Sequence, residues 1–565
     1  MTKLADKIAE RLSRFKPFGK GADDPLTSLK SATRWAESLP VGDALKSQGV
    51  VLAELKRFNE NLTQLSKDRL SVLMLLDEKS QDLQDTLVQQ YLRNPRMSRA
   101  VESQLWHGIN RLYWEIARAY HAFVLDFARS AGKNHNEALV PLITLRAIRV
   151  FGLLLKWRAI RYLQPGEKLW LRLHNLYRVA ENEGFHQRKQ KAYPQDNFES
   201  TCESAYLHIL MLNLANSGTL YPRQLHLVDR WLRNWHDMLS LENRLEIQNH
   251  SFAVDLSADH GPRRVRNPDG EKPMRYWGAA RLLEQLNGIQ TAIREGSPPA
   301  QLGLTEESRT AESVDMLAHL QRQWSALASR EQRRAPRENI KRMVDMTHGL
   351  GNIISQVKFA GDRPDSSPYG DIMPYDEAED VQVYGFVTER TRERATLMKA
   401  PLSATQSEVE RWIMQDESEC GYGSNVETRD KDWLRVGALV ASKPHESKAW
   451  HLGVIRRLSR LNEESSSVGI ETLTEPPCVV MLYDTTSSSG YTVNGFDNTG
   501  AKLPIACLWL HSGDGTAILV MDPAHFQPHK VFEIHGLPDL NFVALGDPVE
   551  RSEGWILVVA EPVKS

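Results

Sequence analysis

At 565 residues the chain exceeds what one hydrophobic core normally organises, so two to four domains are expected. Its 70 Lys and Arg against 72 Asp and Glu leave a formal net charge of -2, which removes any global electrostatic drive toward nucleic acid, and no DNA or RNA partner is expected. Four scattered cysteines, Cys202, Cys420, Cys478 and Cys507, form no CxxC pair and so indicate neither a zinc site nor a disulfide framework; a reducing cytoplasm fits best.

Residues 2–20 carry Lys3, Lys7, Arg11, Arg14, Lys16 and Lys20 against Asp6 and Glu10, with Leu4, Ile8, Leu12 and Phe15 along one helical face. Residues 1–24 are therefore set apart as a basic amphipathic segment. Packing on the protein body is the commoner fate of such a pattern, and peripheral contact with an anionic membrane or docking to a partner is the alternative.

Residues 25–329 read as a mainly helical domain, because apolar residues recur at three and four in run after run. The most apolar run, Ala138 to Tyr162, is interrupted by Arg146, Arg149, Lys156 and Arg158, which argues against a membrane span. Trp170, Leu173 and Tyr177 have the spacing of the first helix of a tetratricopeptide repeat, but no second copy follows, so these aromatics are read as core. His174, His186, His208, His226 and His236 fall on helices without metal-ligand spacing and are read as structural. No HExxH, GxSxG, Walker A or glycine-rich dinucleotide fingerprint occurs, so no enzyme activity, catalytic residue, metal or cofactor is expected. Between 243 and 265 the pattern alternates briefly, and Asp255, Ser257 and Gly261 there read as a turn after a short strand.

After residue 329 the period changes to that of β structure. VGALVASKP, AWHLGVIRRLSRL, SSVGIETL, PCVVMLYD, PIACLWLH, TAILVMD, HKVFEIHG and WILVVAEPV are short, rich in Val and Ile, and separated by Gly, Pro, Ser and Asp. They read as antiparallel strands of one or two small barrels. The boundaries are placed at 330–475 for the first, with an acidic, turn-rich insertion around 361–405, and at 476–565 for a C-terminal β extension or second small domain.

Three motifs follow one another through this region: RRAPR, an R-x-x-x-R from Arg333 to Arg337; QDESECGYG, a D-x-S-x-x-G made by Asp416, Ser418 and Gly421; and the strands LRVGALVAS and WHLGVIRRLSRLNEESSSVGIETL. In this combination residues 330–475 resemble the PilZ domain, a small β-barrel receptor for the bacterial second messenger cyclic di-GMP. The resemblance implies a multidomain α + β chain in which an N-terminal all-α helical array precedes a PilZ-like antiparallel barrel. It also implies that Arg333, Arg334 and Arg337 close over the ligand while Asp416, Ser418 and Gly421 form its floor. The residue types suit such a ligand: guanidiniums grip phosphate bidentately and stack on bases, a carboxylate accepts from the guanine Watson–Crick edge, and a glycine permits close backbone approach.

A second R-x-x-x-R, Arg390 to Arg394, rivals the first clamp because Arg337 and Asp416 are 79 positions apart. RRAPR is preferred for its double arginine and for the strand-like KRMVDMTHG that follows it directly. Arg456 and Arg457 are adjacent on a strand, so one faces the barrel mouth and the other outward; Arg457 is carried as a further ligand contact. The expected protein is a cytoplasmic receptor for cyclic di-GMP that reorients its helical domain and barrel to control a protein partner. The rival expectation is an interaction scaffold with a degenerate barrel.

Overall fold

The computed structural model describes residues 25–563 apart from 41, 61–64, 95–96, 131–136, 217, 236–237, 266–272, 306–307, 309, 327–337, 362–408, 419, 430, 432, 446, 448, 462–463, 474, 485–503, 512–515, 539 and 553. The chain forms two compact units. One comprises Met1–Ile160, Pro165–Asn216 and Pro222–Ala326; the other comprises Arg161–Gln164, Ser217–Tyr221 and Leu327–Ser565. The basic segment 2–20 lies outside the described residues.

The first unit is helical: α1 (Leu29–Glu37), α2 (Ala44–Glu60), α3 (Lys67–Arg93), α4 (Arg99–Arg129), α5 (Val140–Ile160), α6 (Leu169–Asn182), α7 (Cys202–Ala215), α8 (Pro222–Leu232), α9 (Ala280–Arg294) and α10 (Thr310–Trp324). Side-chain caps start several of them. Ser66 accepts from the Arg69 backbone N–H at α3, and Thr201 and Ser204 form a reciprocal capping box at α7. Between α8 and α9 a three-stranded sheet, β2-β1-β3, joins β1 (Phe252–Asp255), β2 (Arg263–Arg264) and β3 (Met274–Trp277). The turn after β1 is built as the sequence suggests: the Asp255 carboxylate accepts from the Ser257 amide at 2.9 Å and its hydroxyl at 2.6 Å.

The helix α5 is buried almost all round, and with the preceding turn, Glu137–Ile160, it is long and apolar enough to cross a membrane by composition alone. Inside this unit its cations are matched instead. Arg146 donates to Glu78 at 2.5 Å and to the Ala192 carbonyl at 2.7 Å; Arg149 meets Asp196 at 2.5 Å; and Lys156 meets Asp229 at 2.7 Å. A buried charge without a partner costs several kcal/mol, so these pairs are what allow basic residues on a core helix. Trp170, Leu173 and Tyr177 are buried, with Tyr177 stacked on Tyr206 at 4.5 Å between ring centroids.

The second unit holds two closed antiparallel barrels. The first has the order β4-β5-β6-β9-β8-β7, from β4 (Glu338–His348), β5 (Glu410–Ser418), β6 (Gly421–Glu427), β7 (Leu439–Pro444), β8 (His451–Arg460) and β9 (Ser465–Thr472). The second has the order β10-β11-β12-β15-β14-β13, from β10 (Cys478–Asp484), β11 (Ile505–His511), β12 (Ala517–Met521), β13 (Val531–His535), β14 (Phe542–Arg551) and β15 (Ile556–Pro562). A helical region followed by antiparallel barrels is thus the fold, as the change of period at residue 330 predicts.

Three apolar layers hold this unit. Val344, Met346, Trp412, Met414, Ile455, Leu458 and Val468 fill the first barrel, and Val480, Leu482, Trp509, Leu519, Phe532 and Ile556 fill the second. The third layer joins the outer faces of β7 and β8 to those of β11, β12 and β15, and Ile353 of a helix inserted after β4, α11 (Leu350–Gly361), packs into it. Two short segments of the chain from among the helices complete the first barrel where β8 leaves β7. The amide of Leu458 donates to the Gly218 carbonyl at 3.1 Å, and that of Arg460 to the Tyr162 carbonyl at 2.8 Å.

Candidate functional site

The stretch QDESECGYG forms the β5–β6 hairpin, with Asp416 opposite Gly423, Glu417 opposite Tyr422 and Ser418 opposite Gly421. Alternation sets the faces. Met414 and Ser424 are buried, Tyr422 packs against the barrel interior, and Glu417 pairs with Arg342 at 3.3 Å. Burial raises the Tyr422 phenol pKa, reinforced by the Glu417 charge. The register shifts between Met414 and Asp416, so Gln415 is an extra residue that turns the rest of the strand over, and Asp416 and Ser418, opposite Gly423 and Gly421, belong to the outer face. The Ser418 hydroxyl donates to the Gly421 carbonyl at 3.3 Å and closes the hairpin. Gly421 is demanded by packing: a Cβ there would lie 2.0 Å from the carbonyl oxygen of Ile470 on β9.

The outer row continues across the barrel. Asp416 pairs with Gly423, Gly423 with Gly469 on β9, and Gly469 with Arg457 on β8. Two glycines side by side leave this part of the sheet without side chains. At Gly423 a Cβ would sit 2.4 and 2.6 Å from the two carboxylate oxygens of Asp416, so the acid lies across the strand and over the bare backbone. At Gly469 a Cβ would touch Arg457 Cβ at 3.4 Å and Nε at 3.7 Å. Three strand spacings of about 4.8 Å make this floor roughly 14 Å wide between an acid at one end and a base at the other. Gly423 and Gly469 were not singled out by the motifs; glycines two apart, as in Gly421-Tyr422-Gly423, share one face of a strand, and that spacing is the signal for them.

Arg457 is exposed and, among the described residues, has no ion-pair partner. Its neighbour Arg456 is the extra residue of a β-bulge between Ile455 and Arg457. Arg456 Nε donates to Glu471 at 2.6 Å, and its two terminal nitrogens grip both carboxylate oxygens of Glu550, one at 2.7 Å. Burial works against its charge, but Glu550 and Glu471 outweigh it and raise its pKa. Of the adjacent arginines, Arg456 is thus held between strands and Arg457 is left on the open row. Arg333, Arg334, Arg337, Arg390 and Arg394 lie outside the described residues, as does the acidic segment at 362–408.

In the helical unit His174 and His208 have neighbours that account for them, and His236 lies outside the described residues. Tyr206 donates to His174 Nδ1 at 2.6 Å and the His174 Nε2 edge meets the His260 carbonyl at 3.0 Å, while burial lowers its pKa to about 4. His208 meets Asp229 at 2.8 Å in the cluster that also binds Lys156. Among the described residues no group of three or more His, Cys, Asp or Glu is placed to hold a metal.

No curated protein and no solved structure matches the chain. Residues 30–246, which run from α1 through α8 and end before the barrels, match the family model described as cyclic-di-GMP receptor FimW, N-terminal domain.

Proposed function

We propose that this chain is a receptor for cyclic di-GMP, that its first barrel is a PilZ-like domain, and that the outer row Asp416, Gly423, Gly469 and Arg457 is the floor on which the ligand lies. The observation that carries the proposal is this row. Two adjacent glycines give a planar base access to the sheet, and the ends of the row supply an acceptor for a guanine edge and a guanidinium for phosphate or base stacking. The family match in the helical half supports the same ligand independently, since the matched family is described as a cyclic-di-GMP receptor. It also favours a receptor over an enzyme.

Connectivity supports the choice of arginine clamp. The strand β4 begins at Glu338, directly after Arg337, and pairs Asn339 with Asp416. Because Glu338, the residue after the R-x-x-x-R, opens a strand that pairs beside the acid, Arg333 and Arg337, helped by Arg334, are favoured to close over the ligand, with Arg390 and Arg394 as the competing pair. Ligand binding there would change the relative orientation of the helical domain and the barrel and so control a protein partner in the cytoplasm. Calorimetric titration of the full chain with cyclic di-GMP tests the reading. Binding that Arg337→Ala weakens and Arg394→Ala spares supports it; the reverse pattern moves the clamp to the second pair, and absence of heat from folded protein at high micromolar ligand leaves the chain a scaffold.

A further inference from the structure

The second barrel repeats the first strand for strand: β10, β11, β12, β15, β14, β13 follow the same closed order as β4, β5, β6, β9, β8, β7. One irregularity repeats as well, although the shifts of β4–β5 and β5–β6 have no counterpart in β10–β11 and β11–β12. The strand β8 bulges against β9 between Ile455 and Arg457, and β14 shifts register against β15 between Leu545 and Pro548 and again between Pro548 and Glu550. The outer row of the first barrel therefore has a counterpart in the second.

Alternation identifies it. Cys507, Trp509, Leu519, Met521, Ile556 and Val558 line the second barrel's interior, so their neighbours face outward. The corresponding outer row reads Leu508, Val520, Leu557 and Glu550, each paired with the next across β11, β12, β15 and β14. Where the first barrel has an acid, two glycines and an arginine, the second has three apolar side chains and an acid. Leu508 and Val520 are fully buried and Leu557 is 5% exposed, in the layer shared with Leu439, Leu452 and Val454 of the first barrel. Ser552 Oγ and Trp555 Nε1 both donate to the Gly437 carbonyl at 3.0 Å and seal the same contact. Glu550, the last member of the row, is the carboxylate that grips Arg456.

We infer that the second barrel is a copy of the first whose ligand side has become the seat for the first barrel, and that through Glu550 it positions the Arg456–Arg457 bulge on the one ligand face that remains open. The positioning part rests on the receptor reading above; the seat does not. Glu471 and Glu550 fix Arg456 from two directions, so the backbone of the bulge is held and Arg457 stays beside Gly469. Among the described residues the equivalent row of the second barrel offers no such floor, because it carries the apolar side chains of Leu508, Val520 and Leu557.

The test uses the full chain, calorimetry with cyclic di-GMP and thermal melting. Glu550→Gln is expected to weaken binding several-fold with little change in melting temperature, Glu550→Asp to restore part of the loss, and Asp416→Ala to remove all binding rather than a fraction. Unchanged affinity in a folded Glu550→Gln protein, or a residual site after Asp416→Ala, overturns the inference. Melting separates it from the receptor reading. If the wild type binds nothing, that reading fails, and the seat still requires the two barrels to unfold in one transition that Leu508→Glu splits or abolishes; two independent barrel transitions in the wild type overturn the seat.

Discussion

Gly421 and Gly423 stand two residues apart on β6, yet alanine at each should fail in a different way. At Gly421 the new methyl meets main chain, 2.0 Å from the Ile470 oxygen and 3.0 Å from its carbonyl carbon. Backbone that is hydrogen-bonded across to the next strand at the β5–β6 hairpin cannot retreat that far without breaking the end of the β6–β9 ladder, so Gly421→Ala should cost about 3 kcal/mol or more, at the upper end of the range for overpacking. At Gly423 the methyl meets only the end of a side chain, the Asp416 carboxylate at 2.4 and 2.6 Å. That group can rotate aside at about 0.5–1.5 kcal/mol. Gly423→Ala should therefore fold with stability within about 1.5 kcal/mol of wild type, but with the acid displaced from the floor. Losing one charge-assisted hydrogen-bonding group of about 1.5–3 kcal/mol corresponds to roughly ten- to hundredfold weaker cyclic di-GMP binding. Urea unfolding and calorimetric titration of both variants read the two effects. A Gly423→Ala protein that binds as tightly as wild type, or a Gly421→Ala protein of wild-type stability, would refute the reasoning about this hairpin.

Arg457→Glu reverses the charge at the far end of the floor, away from the barrel interior, and should weaken binding at least tenfold without moving the urea midpoint. Lys156→Met leaves the buried Asp229 carboxylate without its closest cation; chemical denaturation should show a loss of about 3–5 kcal/mol, as for other broken buried pairs. Stability should also fall in mild acid. Burial first, helped by nearby arginine or lysine at His121 and His226, lowers the pKa of His121 and His174 to about 4 and of His226 to about 3, from an ordinary 6.5. The unfolded chain takes up these protons below pH 6.5 and the folded chain does not, so each histidine contributes stability that is complete above that pH. The contribution declines as the pH falls toward 4 or 3, by up to about 1.4 kcal/mol per pH unit for each. Urea unfolding at pH 7.5 and pH 5 checks the sign, and greater stability at pH 5 would contradict it.

The change from helix to barrel was legible because the apolar period changes, and eight of the strands are continuous Val- and Ile-rich runs between turn residues. The strand β14 was not anticipated: Gly546, Asp547 and Pro548 interrupt its strand pattern, and the barrel absorbs them by two register shifts against β15. The helix α11 was also missed, although Leu350, Ile353, Ile354 and Val357 have helical spacing directly after the strand-like KRMVDMTHG. Its apolar face contributes to the layer between the barrels, a contact that no local pattern announces. At the candidate site the motif residues Asp416, Ser418 and Gly421 are brought together on one hairpin. The neighbouring Gly469 and Arg457 come from β9 and β8, and only the strand pairing places them in the same row. The different fates of Arg456 and Arg457 depend on a bulge and on Glu550, which is 94 residues distant in sequence.

The most direct test of the account is a calorimetric titration of the full chain with cyclic di-GMP, with Asp416→Ala in parallel. Saturable heat in the wild type and none in the variant, with both proteins melting alike, is the predicted result. A folded wild-type chain that gives no heat at high micromolar ligand, or a variant that binds as the wild type does, would contradict it.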